Sequence, residues 1–332
     1  MKICVLFPIV DAPNGGGNQF LKLVKRKLIA MGMYAELESA DIVLFNSHQV
    51  VKEVIRAKKK YPEKIFIHRI DGPMRLYNQM SDTRDNIVNL VNQYIADGTV
   101  FQSEWSREKN YKMGLKQTKY ETVIYNAADK EIFNSSGKRK FDKNRKIRLI
   151  ATSWSDNMKK GFKTYLFLDQ NLDWKKYEMI FVGNSPVEFK NIKHIQPLNS
   201  IELAKLLKES DIYISASEIE SCSNAIIEAM SCALPVICKK DGGNPELVKN
   251  GGKLFEKDCE IITLLEEMAD NYDITQKNIE VDDIDDVVNK YIMFMKNVKE
   301  DIIIKQGRPK HISIVDCLMM ECKIKIWRKL NV

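Results

Sequence analysis

The stretch SEIESCSNAIIEAMSCALPVI, Ser217–Ile237, sets Glu228 among Ala225, Ile226, Ile227, Ala229 and Met230, with Glu220 eight positions earlier in a run of small polar residues. An ionised carboxylate in apolar surroundings is costly unless something bonds to it, so Glu228 either points to water or awaits a ligand. Eight residues on one helix turn through ~800°, about 80° off alignment. The two acids are therefore not a same-face pair. Glu220 is expected in a strand-to-helix loop and Glu228 inside the helix, with Ser221, Ser223 and Asn224 as small caps beside free N–H groups. The result is an anion-accepting loop with a carboxylate on either side, and a carboxylate accepts two hydrogen bonds, as many as a ribose diol donates.

Working outward, the same alternation of short apolar runs and amphipathic stretches fills both halves of the chain. KICVLFPIV, ADIVLFN, KIFIHRI, DGTVFQS and YETVIYN read as strands in the first half, separated by helical patterns such as NQFLKLVKRKLIAM and QVVKEVIRAKKK. IRLIATS, YEMIFVG, HIQPL, DIYISAS and LPVICKK repeat this in the second half, with SIELAKLLKES and CSNAIIEAMSCA among the helices. Such alternation means βαβ units and parallel sheets. NSSGKRKFDKNRK, Asn134–Lys146, is polar and without apolar periodicity, and is the expected linker. Residues 1–145 and 146–285 are thus two expected Rossmann-like domains. Residues 286–332 are expected as helices that pack back on the body or lie at a membrane surface.

At 332 residues two domains are the natural expectation, and 44% hydrophobic residues suit a large core. The seven cysteines include no CxxC spacing, which points away from a structural metal or a disulfide framework and toward a reducing, cytoplasmic setting. MKICVLFPIVDAPNGGG reads as a first strand rather than a secretion signal, because Asp11 and Pro13 interrupt it early. Charge is uneven: residues 1–145 hold 25 Lys/Arg against 16 Asp/Glu, and the remainder 27 against 29. The basic first half suggests either solvated helix faces or an anionic partner: a membrane surface, a phosphorylated substrate or nucleic acid.

Ligands of parallel sheets bind beyond the carboxyl ends of the strands, and several short motifs fall there. GGGNQF, Gly15–Phe20, lets backbone approach a ligand at a helix start, although Phe20 stands where a dinucleotide fingerprint needs a third glycine. HRIDGP, His68–Pro73, gathers a base, a cation and an acid at a strand end. SWSDNMKKGF, Ser153–Phe162, puts Lys159 and Lys160 just before a helix, and DGGNPELV, Asp241–Val248, adds Gly242 and Gly243 as a second glycine loop.

Taken in order, KKGF, SEIESCSNAIIEAMSCALPVI, DGGNPELV and GGKLF resemble the donor domain of a family-4-type glycosyltransferase with the GT-B fold, the Glu-x7-Glu spacing of Glu220 and Glu228 being the specific element. ADGTVFQSEW and VIYNAADKEIF resemble the end of its first domain, and NGGGNQF and HRIDGP resemble bacterial surface-polysaccharide members. The resemblance implies two Rossmann-like domains facing across a cleft. It implies that Glu228 binds the ribose of a nucleotide-diphosphate sugar. Glu220 and the N–H groups of Ser221, Cys222, Ser223 and Asn224 would hold the sugar. Lys160, with Gly16 and Gly17, would neutralise the departing diphosphate, joined by Lys159, since Ser153–Asn157 lacks the family's usual Arg. His68 and Asp71 would orient donor and acceptor. It further implies retention at the anomeric carbon, no metal and no cofactor beyond the donor substrate. The acceptor would be a glycan or lipid-linked, with peripheral contact to the inner face of an anionic membrane and no nucleic acid partner.

Other classes predict other things. A Rossmann dehydrogenase leaves Glu220 and Glu228 unexplained. A nucleotide-sugar epimerase would alter donor without acceptor, a non-catalytic nucleotide-sugar-binding protein would bind donor and turn nothing over, and a nucleic-acid-binding module would bind in a strongly salt-dependent way.

Overall fold

A computed structural model describes residues 1–10, 16–305 and 307–330. Gly15 of the first glycine motif lies outside the described residues. The chain forms two compact units: residues 1–10, 20–125 and 285–332, and residues 11–19 and 126–284. No helix among the described residues is long and apolar enough to cross a membrane.

The first unit holds a parallel sheet of β1 (Ile3–Leu6), β2 (Ile42–Asn46), β3 (Ile65–Ile70), β4 (Gly98–Phe101) and β5 (Glu121–Val123), ordered as in the sequence. Its helices are α1 (Gly16–Ala30), which begins in the second unit's segment, α2 (Val51–Lys60), α3 (Met74–Tyr77), α4 (Arg84–Tyr94) and α5 (Glu104–Lys112). Strand residues alternate between faces. Val43, Phe45 and Phe66 share a core with α2, α4 and the chain's last helix through Cys317, Met320 and Ile324. On the other face, Phe294 of the penultimate helix lies against Gly98 beside Ile67, and Tyr291 packs 6.1 Å from Phe20. The chain's end therefore covers both faces of the sheet formed by its beginning, because a parallel sheet buries both faces.

In the second unit β6 (Ile147–Ser153), β7 (Tyr177–Gly183), β8 (Lys193–Ile195), β9 (Ile212–Ser215), β10 (Val236–Lys239) and β11 (Gly252–Phe255) form a parallel sheet ordered β11-β10-β9-β6-β7-β8. It carries α6 (Phe162–Asn171), α7 (Ser200–Glu209), α8 (Asn224–Ser231), α9 (Asn244–Val248), α10 (Glu260–Asp270) and α11 (Tyr272–Lys277). α12 (Ile284–Ile304) and α13 (Ile314–Leu330) complete the chain. The segment Asn134–Lys146 has no regular structure and is fastened to the second unit: Arg145 donates to both Asp211 oxygens at 2.7 Å, and Arg139 N donates to Lys208 O at 2.9 Å. Short elements such as α3 and β11 escape the sequence pattern. The first is a single turn, and the second begins on a glycine.

Candidate active site

The second sheet grows outward from β6 through β7 to β8, then returns to the other side of β6 for β9, β10 and β11. The strand order reverses between β6 and β9. Loops leaving neighbouring strands at such a point turn apart and open a crevice beyond their carboxyl ends. The expected donor residues of this unit lie on the loops after β6, β9 and β10 or on α8, apart from Gly16 and Gly17 at the start of α1.

These loops are laced together at backbone level. After β6, Asn157 caps a 3-10 turn, Met158–Lys160, by accepting from Lys159 N at 2.9 Å. Lys159 O accepts from Glu218 N at 2.8 Å. Gly161 ends the turn at φ 89°, where a Cβ would stand 2.3 Å from Ala216 Cβ and 2.5 Å from its carbonyl oxygen. After β10, Gly242 has φ 66°, and a Cβ there would lie 2.4 Å from Glu220 O. Gly243 N donates to that carbonyl at 2.7 Å. Asp241 accepts from Gly242 N at 2.6 Å and from Ile219 N at 3.3 Å, holding Ile219 at φ 59°. The outcome is that Lys160 Nζ pairs with Glu220 Oε1, each side chain about one-fifth exposed (20% and 18%).

Glu228 sits in α8, whose Ile226, Ile227, Ala229 and Met230 are buried and whose cap Ser223 accepts from Ile226 N. Its carboxylate keeps partial solvent access yet has no hydrogen-bond or ionic partner among the described residues. Burial alone pushes its pKa up to about 8. Cys222 Sγ accepts from Asn126 N at 3.3 Å, and Asn224 Oδ1 from Asn126 Nδ2 at 2.7 Å. Asn224 Nδ2 donates to Gly16 O at 2.8 Å. Gly17 follows with open space where a Cβ would stand. Ser221 is partly exposed beside Glu220.

In the first unit, Asp71 is a hub beyond the carboxyl ends of three strands. It accepts from Asn46 Nδ2 at 3.0 Å, Arg69 NH1 at 3.2 Å and Gln102 Nε2, and its own N–H donates to Ser47 Oγ at 2.8 Å. One-quarter of its side chain (26%) remains exposed. His68 occupies a different place from the one expected. It faces the interior, fully buried and stacked 4.3 Å from Phe45. Nε2 donates to Ser47 O at 3.0 Å, and Nδ1 accepts from Asn92 Nδ2 at 3.2 Å. Burial drives its pKa down to about 3, so the ring is neutral, and neither nitrogen is left for a ligand. The alternation of β3 explains this: Phe66 and His68 share the inward face, whereas Arg69 points the other way, over the Phe20 ring at 4.9 Å.

Asn46, Gln102 and Asn126 join these networks without a sequence motif that marks them. Each stands at or just beyond a strand end or turn, which was the available signal. Among the described residues no group of three or more His, Cys, Asp or Glu is arranged to hold a metal.

Two parallel-sheet units of this kind define the GT-B fold. The likeness extends to solved structures: HepE of Anabaena, determined with UDP and with UDP and glucose, superposes with a TM-score of 0.67 at 16% identity, over 90% of this chain and 100% of that one. Within the fold, residues 158–271 match the family model described as Glycosyl transferases group 1. Among curated proteins, a probable sucrose-phosphate synthase of Thermosipho melanesiensis is 29% identical over 141 residues, covering 40% of this chain and 33% of that one. The GPI3 subunit of phosphatidylinositol N-acetylglucosaminyltransferase from Saccharomyces cerevisiae is 24% identical over 199 residues, covering 54% and 44%. The chain spans less than half the length of these curated relatives.

Proposed function

We propose that this protein is a glycosyltransferase that moves a sugar from a nucleotide-diphosphate sugar to a glycan or lipid-linked acceptor, with retention and without metal. The observation that carries this reading is Glu228, an acid in an apolar helix whose carboxylate has no partner among the described residues, on a unit whose switch-point loops hold a cation, Lys160. A ribose diol supplies the two missing donors. UDP is the first nucleotide to try, since HepE was solved with it.

In the reaction, the acceptor hydroxyl oxygen bonds to the anomeric carbon as that carbon's bond to the diphosphate oxygen breaks. The departing phosphate takes the hydroxyl proton on the same face, so no separate base is needed. Lys160 exchanges Glu220 for the diphosphate as negative charge grows, and preorganised stabilisation of that kind is usually the largest catalytic contribution. Glu220, released, meets the sugar hydroxyls together with the N–H groups of Ser221, Cys222, Ser223 and Asn224. Lys159 and the Gly16–Gly17 and Gly242–Gly243 backbones line the same donor. Asp71 orients the acceptor, and His68 supports it from behind through Ser47.

The test is thermal stabilisation by a panel of nucleoside diphosphates and their sugars, on wild type and Glu228→Ala. A ligand at a hundredfold excess over Kd adds ~2.7 kcal/mol. A shift with one base, lost in the variant, is expected. No shift with any nucleotide, or an equal shift in both proteins, overturns the reading. NMR of the product's anomeric configuration then tests retention.

A further inference from the structure

α13 is apolar on two opposite faces. Cys317, Met320 and Ile324 are buried in the first unit. Val315, Leu318, Cys322 and Ile326, spaced three and four apart, form a second stripe that is exposed, with Ile314 and Leu330 at its ends. The five aliphatic residues among these are 52% to 74% exposed. The helix cannot roll to hide them. Thr83 Oγ1 donates to Trp327 O at 2.8 Å, and ahead of the helix Lys310 N donates to Asp97 Oδ1 at 2.6 Å while its Nζ donates to Gln93 O at 2.9 Å. A stripe of this length beside charged flanks marks a surface awaiting an occupant.

Charge selects the occupant. The second half of the helix carries Lys323, Lys325, Arg328 and Lys329, with no acid after Glu321. Two copies meeting in parallel on this face would set these cations against their own kind, and an antiparallel pair would offer the four of them only Asp316 and Glu321. An anionic lipid surface complements them, and helices with an apolar face and basic flanks lie in that interface.

We propose that α13 docks in the plane of an anionic bilayer, with Val315, Leu318, Cys322 and Ile326 at the acyl boundary and Lys323, Lys325 and Lys329 at lipid phosphates. This deepens the proposed function, on whose lipid-linked acceptor it rests, by locating where that acceptor is presented. The last turn of α13 reaches the carboxyl edge of the first sheet, where Trp327 O accepts from Thr83 Oγ1 at the start of α4, the helix that leads from β3 to β4. A bilayer along α13 therefore meets the carboxyl edge of the first sheet, where Asp71 stands.

The experiment uses the full chain with Cys259→Ser, leaving Cys322 as the exposed cysteine among the described residues, labelled with an environment-sensitive fluorophore. Vesicles of phosphatidylcholine with and without phosphatidylglycerol are added. A blue shift on anionic vesicles alone is expected. Leu318→Glu with Ile326→Glu should weaken co-sedimentation of the unlabelled chain at least ~10-fold. Reversal of Lys323, Lys325 and Lys329 to Glu should weaken it about a hundredfold or more and abolish its salt dependence. These positions are exposed, so far-UV dichroism and thermal midpoint should match wild type. Absence of vesicle binding by wild type, equal binding by the variants, or a dimer in light scattering that Leu318→Glu dissociates overturns the proposal. Nucleotide-induced thermal shifts without vesicles report on the donor site alone. An intact shift without docking therefore sinks only this inference, and docking without any shift sinks only the sugar-transfer reading.

Discussion

Two titratable residues of the sequence motifs, Glu228 and His68, lie far from their ordinary range, and they respond to pH in opposite directions. The Glu228 pKa is raised to about 8, so between the normal carboxylate pKa and pH 8 the native state holds a proton that the unfolded chain has lost. The unliganded protein should therefore lose stability as pH rises through that window. Glu228→Gln should remove this dependence and stabilise the empty protein at pH 8 by ~1–2 kcal/mol in urea unfolding, while abolishing donor-induced stabilisation. If the ionised form receives the diol, nucleotide affinity in wild type should tighten about tenfold between pH 7 and pH 9 by calorimetry. His68 behaves oppositely. Its pKa is depressed to about 3, so the unfolded chain gains a proton first as pH falls below the normal histidine range. Stability should drop by up to ~1.4 kcal/mol per pH unit from pH 6 to pH 4, and His68→Gln should flatten that slope by about one proton in denaturation midpoints measured across the range.

At the scale of elements, the site is a product of three loops whose backbones touch. Gly161 is the junction that cannot carry a side chain. Its left-handed φ alone makes Gly161→Ala cost ~1–2 kcal/mol, and the contact with Ala216 adds to that. Because the clash pushes the 3-10 turn away from β9, Lys160 should lose its place beside Glu220. Nucleotide affinity should then fall by more than the stability loss explains. Urea unfolding set beside calorimetric nucleotide binding separates the two effects, and unchanged affinity would mean that the turn tolerates displacement.

For the molecule as a whole, the chain's end is bound to its beginning through Asp97. This buried acid accepts from Lys58 Nζ at 3.2 Å and Phe66 N at 2.9 Å, and from Lys310 N across 213 residues of sequence. Removing the acid leaves the buried ammonium of Lys58, whose pKa burial already lowers, without its counter-charge. Asp97→Ala should cost ~3–5 kcal/mol, whereas Lys58→Met, which removes the cation and keeps the volume, should cost far less. Chemical denaturation of the two variants compares them directly. Proteolysis near residues 305–313 should accelerate only in Asp97→Ala.

Element type was readable from residues alone, because a period of 2 or 3.6 and the turn chemistry between runs are local properties. Both parallel sheets, the loop position of Glu220 and the helical position of Glu228 follow from such patterns. Strand order does not, since every β-rich run here is apolar enough to pair with several neighbours. Packing placed β9 beside β6 and so created the switch point at which Lys160 meets Glu220. His68 shows the same limit from the other side: a strand's two faces look alike in sequence until something covers them. Only the burial of Phe45 and α4 against β3 turned that imidazole inward and left Asp71 at the edge. The last helix is the extreme case. Its composition suited either the protein body or a lipid surface, and tertiary contacts assigned one apolar face to the body and left the other exposed.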